Sequence, residues 1–292
     1  MKKLSQPTVR LRDLETVAQL EDAIRLEREV WKFGDSDLTP LTLAVATRAA
    51  GSLWIGAYDG PELVGFAFAF PSLERGRTGF HSHTLAVHSR LRDRGIGYEL
   101  KLEQRKRALA LGIKEMTWTF DPLRGRNAHL NFSKLGVISA SYREQFYGSE
   151  TSSPLHRNGT DRLWVTWHMA EPAVEERLKG KQTRAAVLDV LSDAESLVRC
   201  QGDGTPLEQN LSQLHKGRRI GIEIPGDIEH IEQEDTALAE RWRLATRRAF
   251  NEALAAGFVV TEFCRSIRGQ PGPGAYLLEQ PGHEDDKQPL RQ

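Results

Sequence analysis

Thr84 to Gly97 reads T-L-A-V-H-S-R-L-R-D-R-G-I-G: an apolar run, a basic turn and two glycines. No other stretch constrains this chain as much. The apolar run predicts a strand, and the residues after Gly95 carry helical spacing. Arg92, Gly95 and Gly97 fit the pattern R-x-x-G-x-G. A helix opened by such a turn aims unsatisfied N–H groups and the positive end of its dipole at an anion, most naturally a pyrophosphate. Two rival glycine motifs fail. Tyr98-Glu99-Leu100 follows where a dinucleotide fingerprint needs a third glycine, and no Gly-Lys-Ser or Gly-Lys-Thr follows as a P-loop requires.

Charge narrows the partners. Lys+Arg and Asp+Glu both number 40, so no global field draws the chain to nucleic acid or to an anionic membrane. The cluster Arg90, Arg92, Arg94 therefore needs a local explanation. At 292 residues the chain can bury one large core or two modest ones. Cys200 and Cys264 could form one bridge, but two cysteines suggest neither a disulfide framework nor a zinc site, and reduced, partly buried thiols in a cytoplasmic protein are the better reading. The opening M-K-K-L-S-Q-P-T has no signal-peptide apolar run, and no apolar segment is long enough to span a bilayer.

The pattern predicts a mixed α/β order. Val9–Leu11 reads as a strand, Asp13 as the cap of a helix carrying Val17, Leu20, Ile24 and Val30, and Thr39 as the cap of a second helix with Pro40 first and Gly51 past its end. A hairpin turns at Asp59-Gly60. His81–His88 reads as a strand, followed by a helix from Gly95 to about Leu111. Met116, Trp118 and Phe120 alternate as in a half-buried strand, with Trp118 and Phe120 as core. Asn127–Leu135 reads as a helix stopped by Gly136, 149–159 as a polar loop, and 162–169 as a closing strand.

Past Ala173 the patterns turn helical, and a second strand–helix–strand unit is predicted at Arg219–Ile224, Thr236–Ala256 and Phe258–Cys264. Ala108–Gly112 and Ala253–Gly257 are similar helix ends, which is the mark of a diverged repeat or of chance. The second unit lacks the glycine pair. Its connection carries Asp227, Glu229, Glu232, Glu234 and Asp235, which would repel a phosphate. The expected domains are 1–170, 171–279 and a disordered tail at 280–292, rich in Pro, Gly and charge.

Strand, R-x-x-G-x-G, helix, strand and then N-A-H-L-N-F-S-K-L-G (Asn127 to Gly136) resembles the GNAT superfamily of CoA-dependent N-acyltransferases over residues 8–170. With W-T-F-D-P-L and the late I-E-I-P strand, the chain is similar to a branch of predicted acetyltransferases, some linked to N-succinylation of amino acids. The resemblance implies a central mixed sheet flanked by helices; the C-terminal α/β region is, from the similar helix ends alone, either a degenerate repeat of it or an unrelated unit. It implies acetyl-CoA or another acyl-CoA, succinyl-CoA included, as cosubstrate, no metal, and a small amine or amino acid as acceptor. A homodimer is in keeping with it.

The resemblance also assigns roles. Backbone around Arg92, Arg94, Gly95, Ile96, Gly97 and Tyr98 would cradle the pyrophosphate. Backbone of Leu85, Ala86 and Val87 would hold the pantetheine arm and polarise the thioester. Asn127 would flank the pantetheine or act as a plain helix cap. His81 and His83 stand where a general base is expected, in a strand that resembles the two-histidine strand of arylalkylamine N-acetyltransferases. Period 2 would put both on one face with Leu85 and Val87. Relatives carry a tyrosine acid where alignment on Lys134-Leu135-Gly136 places Phe132. Tyr142 or Tyr147 would substitute, or no acid is needed. Apart from the resemblance, any of Arg124, Arg126, Arg143 and Arg162 could fork onto a substrate carboxylate, and Arg162 is preferred because Asp161 at the loop–strand junction could orient it. The rival class is a non-enzymatic acyl-CoA sensor, which would keep the turn without a working base.

Overall fold

A computed structural model describes residues 9–74, 76–148, 153, 156–180, 184–214, 218–269 and 272–281. The expected tail from 282 and most of the 149–159 loop lie outside them. The chain divides into two compact units, Met1–Thr119 with Tyr147–Arg157 and Thr166–Glu175, and Phe120–Phe146 with Asn158–Val165 and Glu176–Gln292. Both are mixed α/β. Among the described residues no helix is long and apolar enough to cross a membrane.

The first unit runs β1 (Arg10–Asp13), α1 (Val17–Trp31), α2 (Leu41–Ala49), β2 (Leu53–Asp59), β3 (Glu62–Glu74), β4 (Arg77–Val87), α3 (Ile96–Ala110) and β5 (Glu115–Phe120), whose last residue falls in the second unit. The strands lie in the order β1-β2-β3-β4-β5. All neighbours are antiparallel except β4 and β5, which are parallel. One face is closed by α1 and α2, which bury Leu20, Ala23, Leu26 and Ala44 against Trp54, Tyr58, Phe66, Phe68 and Ala86. Trp54 stacks on Phe68 at 4.0 Å between ring centroids. Each such buried side chain contributes about 1.5–3 kcal/mol.

Two caps differ from expectation. Asp13 stays in β1, paired with Ile55, so Thr16 caps α1 instead. Its hydroxyl accepts from Gln19 N–H at 3.3 Å while Gln19 Oε1 accepts from Thr16 N–H at 3.0 Å, a reciprocal capping box. Thr39 caps nothing. Its N–H and hydroxyl both donate to the buried Glu27 carboxylate, at 3.1 Å each, and Pro40 takes the cap position.

The second unit contains α4 (Gly125–Ala128), β6 (Ile138–Arg143), β7 (Arg162–His168, whose last three residues fall in the first unit), α5 (Pro172–Leu178, likewise mostly in the first), α6 (Arg184–Asp193), β8 (Glu195–Cys200), β9 (Pro206–Glu208), β10 (Arg219–Ile224), α7 (Ile228–Glu234), α8 (Thr236–Ala255), β11 (Val259–Cys264) and β12 (Gly274–Glu279). Its sheet order is β6-β11-β12-β10-β8-β9, with β8 and β10 parallel. Asp227 and Asp235 of the acidic connection are helix caps, accepting from His230 and Leu238 N–H. Cys200 and Cys264 are free thiols.

This unit is built around buried charge. Asp121 is gripped by Arg243 through two hydrogen bonds, of 2.8 and 2.9 Å. Asp161 is held in the same two-pronged way by Arg247, at 2.8 and 2.9 Å. Burial would raise the Asp121 pKa, but Arg243, helped by Arg124 and Arg162, more than reverses this and holds it well below the carboxylate range. Arg247 and Tyr142 lower Asp161 against the same burial. Depressed folded-state pKa values give stability that is whole above the unfolded carboxylate pKa and is lost as pH falls through the folded values. Urea unfolding should therefore show weakening on acidification below about pH 4. Asp121→Asn should cost about 3–5 kcal/mol at neutral pH by leaving Arg243 buried without its counter-charge; a loss under about 1 kcal/mol would sink this account of the unit.

Candidate functional site

β4 and β5 pair at only two positions, Phe80 with Met116 and His81 with Thr117. Beyond them β4 continues for six residues, to Val87, with no register partner on β5. Leu85, Ala86 and Val87 lie in this stretch. Its β3 side remains paired, with Leu85 opposite Ala67, Ala86 opposite Phe66 and Val87 opposite Gly65. A strand held on one side offers the backbone groups of its other side to a ligand.

The two histidines stand at the parting. The β3–β4 register shifts between Phe68 and Ala69, which pair with Thr84 and Ser82, so His83 is a bulge residue without a partner. The bulge corrects the expected alternation. His81 and His83 both face Phe70, at 5.3 and 6.0 Å between centroids. Leu85 and Val87 instead point toward Gly97 of α3. His81 is buried, and its Nδ1 lies 3.0 Å from Thr117 Oγ1. Burial, then His83 and Lys101, pull its pKa down to about 4. His83 is reached by solvent yet crowded by protein, and that crowding lowers its pKa as well.

The turn after β4 is open. His88 Nδ1 accepts from Arg90 N–H, and Arg90 pairs with Glu62. Arg92 and Arg94 are exposed. Gly95 takes the cap position of α3 at φ +84°, a left-handed conformation that glycine adopts without strain. No side chain caps α3, so N–H groups of its first turn, from Ile96, Gly97 and Tyr98, are left for an anion. Ile96 is buried as an anchor and Tyr98 is half-buried. An uncapped fifteen-residue helix behind an exposed glycine and two exposed arginines fits a pyrophosphate.

Two residues that the sequence reading missed belong here. The inward stripe of α3 is Ile96, Leu100, Lys101, Gln104 and Ala108. Lys101 and Gln104 are fully buried polar groups on an apolar face. The signal was present in the sequence, since both sit at core spacing between Leu100 and Ala108.

Tyr147 also lies in the first unit. It is exposed, its hydroxyl is 3.3 Å from Thr119 Oγ1, and its ring stacks on His156 at 6.1 Å. Thr117 and Thr119 alternate on β5, so Tyr147 and His81 address the same strand face.

The remaining candidates lie in the second unit. Asn127 is exposed in the interior of α4, not at its cap, which is Arg124. The helix begins two residues earlier than expected and continues as a π-helix, His129–Leu135, closed by Gly136 at φ +72°. Phe132 is core, edge-on to Tyr276. The Tyr142 hydroxyl donates to Asp161 Oδ2 at 2.7 Å, and burial raises its pKa. Asp161 does not orient Arg162 through its carboxylate, which is taken by Arg247, Tyr142 and Gln145 N–H. The buried Arg162 donates to the Asp161 backbone carbonyl at 2.8 Å.

Residues 16–136 match the acetyltransferase (GNAT) family. The match covers less than half of the chain and includes β4, the glycine turn, α3 and β5. No curated protein matches the chain in sequence. Among solved structures, the ribosomal-protein-S18-alanine N-acetyltransferase from Escherichia coli is 14% identical, with 56% of this chain and 96% of that chain covered and a TM-score of 0.45. A GNAT family acetyltransferase from Elizabethkingia anophelis with acetyl-CoA bound is 15% identical, covering 55% and 97%, at a TM-score of 0.42. Aminoglycoside 6'-acetyltransferase type Ii is 20% identical, covering 56% and 98%, at 0.43.

Gly97 separates a ligand site from a plain turn. A Cβ there would meet Leu85 and Val87 at 3.7 and 4.0 Å, ordinary contact distances. The fold has no need of glycine at that position. Gly97→Ala should leave stability unchanged or raise it by up to about 1 kcal/mol. Calorimetric affinity for CoA should fall by about tenfold or more, about 1.4 kcal/mol. Undiminished CoA affinity would return the turn to a purely structural role.

Proposed function

We propose that the chain is an acyl-CoA-dependent N-acyltransferase that moves an acetyl or succinyl group to the primary amine of a small, amino-acid-like acceptor. The observation that carries this reading is the parting of β4 and β5 after His81 and Thr117, beside an open glycine turn and two histidines. The turn's N–H groups, with Arg92 and Arg94, would hold the pyrophosphate. The unpaired edge of β4 from His83 to Val87 would receive the pantetheine and polarise the thioester carbonyl.

His83 is the better base of the pair, because solvent reaches it while His81 is buried against Thr117. An ammonium N–H bond breaks, a proton moves to the His83 imidazole, and the freed lone pair attacks the thioester carbonyl carbon. The C–S bond then breaks, the attacking nitrogen gives up its second proton, and the departing thiolate takes it to leave as the free thiol. A thiol with pKa near about 8.5 needs little help from an acid. Tyr147, exposed beside Thr119, supports the acid role better than Tyr142, whose proton is committed to Asp161. Arg162 is read as a buried structural or substrate cation of the second unit.

Thiol release from acetyl-CoA and succinyl-CoA against pooled amines, amino acids and peptides tests the reading. Release that depends on one pool is expected, with loss of rate as pH falls and His83 is protonated. His83→Ala should lower kcat by about 10²–10⁴-fold with CoA binding intact, and His81→Gln should lower it less. No release from any pool, with CoA still bound, would favour the sensor.

A further inference from the structure

The last β4–β5 pair is His81 with Thr117, so Ser82 and Trp118 are the first residues beyond it on each strand. One side chain touches both. Lys101 of α3 donates from Nζ to Ser82 Oγ at 2.8 Å, and the same ammonium lies 3.7 Å from the centroid of the Trp118 ring. Ser82 in turn donates to Gln104 Oε1 at 3.0 Å. Gln104 is fully buried and its Nε2 has no hydrogen-bond partner among the described residues. Lys101 is itself 2% exposed.

An ammonium buried against a hydroxyl and an indole face is not placed there for stability. Neither of these two partners is a carboxylate, and burial pushes the Lys101 pKa down to about 7. Replacing such a charge by an apolar side chain of similar length is often neutral or stabilising. Position explains its presence better, because Lys101 sits at the apex where the strands part, across the sheet from the histidine pair.

Among the charged groups that reach His81 are His83 on its own strand and Lys101 on α3. β3 and β5 present Phe70 and Thr117 to it, which carry no charge. Below neutral pH Lys101 is an ammonium, and a neighbouring cation disfavours a second one. His81 sits under that field and His83, one bulge further on, answers mainly to its own crowding.

We propose that Lys101 is a positioning residue of the acyl-transfer site, which braces the parting strands and directs the proton of the histidine pair to His83 rather than His81. This rests on the N-acyltransferase reading for its purpose, but not for its test.

The test is a pH titration of the full chain followed by imidazole NMR signals, with His81→Gln and His83→Gln assigning the two resonances. In the unmodified chain His83 should take its proton at higher pH than His81. Lys101→Met removes the charge and keeps the packing. The His81 midpoint should then rise by about half to one pH unit, while the His83 midpoint moves less. In the transfer assay the acid limb of kcat/KM should follow the smaller His83 shift and not the His81 shift. Lys101→Gln gives the same reading if circular dichroism shows Lys101→Met to be unfolded. Midpoints that stay put in a folded Lys101 variant, or a His81 that titrates above His83 at the outset, overturn the proposal. Failure to transfer any acyl group refutes the proposed function alone, since the midpoints are read without turnover.

Discussion

The rest of the first unit is arranged around a parallel strand pair that stops after two register positions. Two positions are too few to hold parallel strands together. The long antiparallel ladder between β3 and β4 fixes β4 from one side. At the parting itself, the His81–Thr117 contact closes the paired end on one face, and Lys101 spans Ser82 and Trp118 on the other. Side chains replace a missing ladder there, and the backbone edge of β4 is left open beyond them.

Such an arrangement departs from local consistency in three places. β4 carries a bulge at His83, α3 buries Lys101 and Gln104, and the α3 N-terminus lacks a side-chain cap. Each departure is locally unfavourable, and each lies in or packs against β4 between Ser82 and Val87. Natural sequences break packing and capping rules mainly where function requires it. The contrast with α1 is direct, since that helix has a complete capping box and an apolar inner stripe interrupted only by Glu27, which Thr39 satisfies.

The sequence made the local elements readable and hid the long-range ones. The Asp59-Gly60 hairpin, the helix after Gly95 and the stop at Gly136 are written in turn residues and spacing, and all three form. β8, β9 and β12 went unread, because short strands without clear alternation look like helix ends or loops. The bulge at His83 was invisible because it depends on how β3 and β4 meet, so the expected common face of His81, His83, Leu85 and Val87 was half right. Asp161 looked like a partner for its neighbour Arg162. It is held by Arg247, 86 residues away, and only the fold brings those together. Lys101 could have been found, since a lysine at core spacing is a signal that periodicity alone supplies.

The two glycines of the turn show how a fold requirement and a ligand requirement separate. Gly95 needs to be glycine for backbone reasons, because its φ of +84° is strained for any residue with a Cβ. A solvated turn with no ligand would need it just as much. Gly97 lies inside α3, where the conformation suits any residue and space for a methyl group is present. Glycine weakens a helix there without repairing anything in the protein. On the proposed reading, the α3 N-terminus is kept bare so that the acyl-CoA can come close to it. Gly97 supports that reading without family likeness, and it points to the same anion that the exposed arginines and the uncapped helix favour.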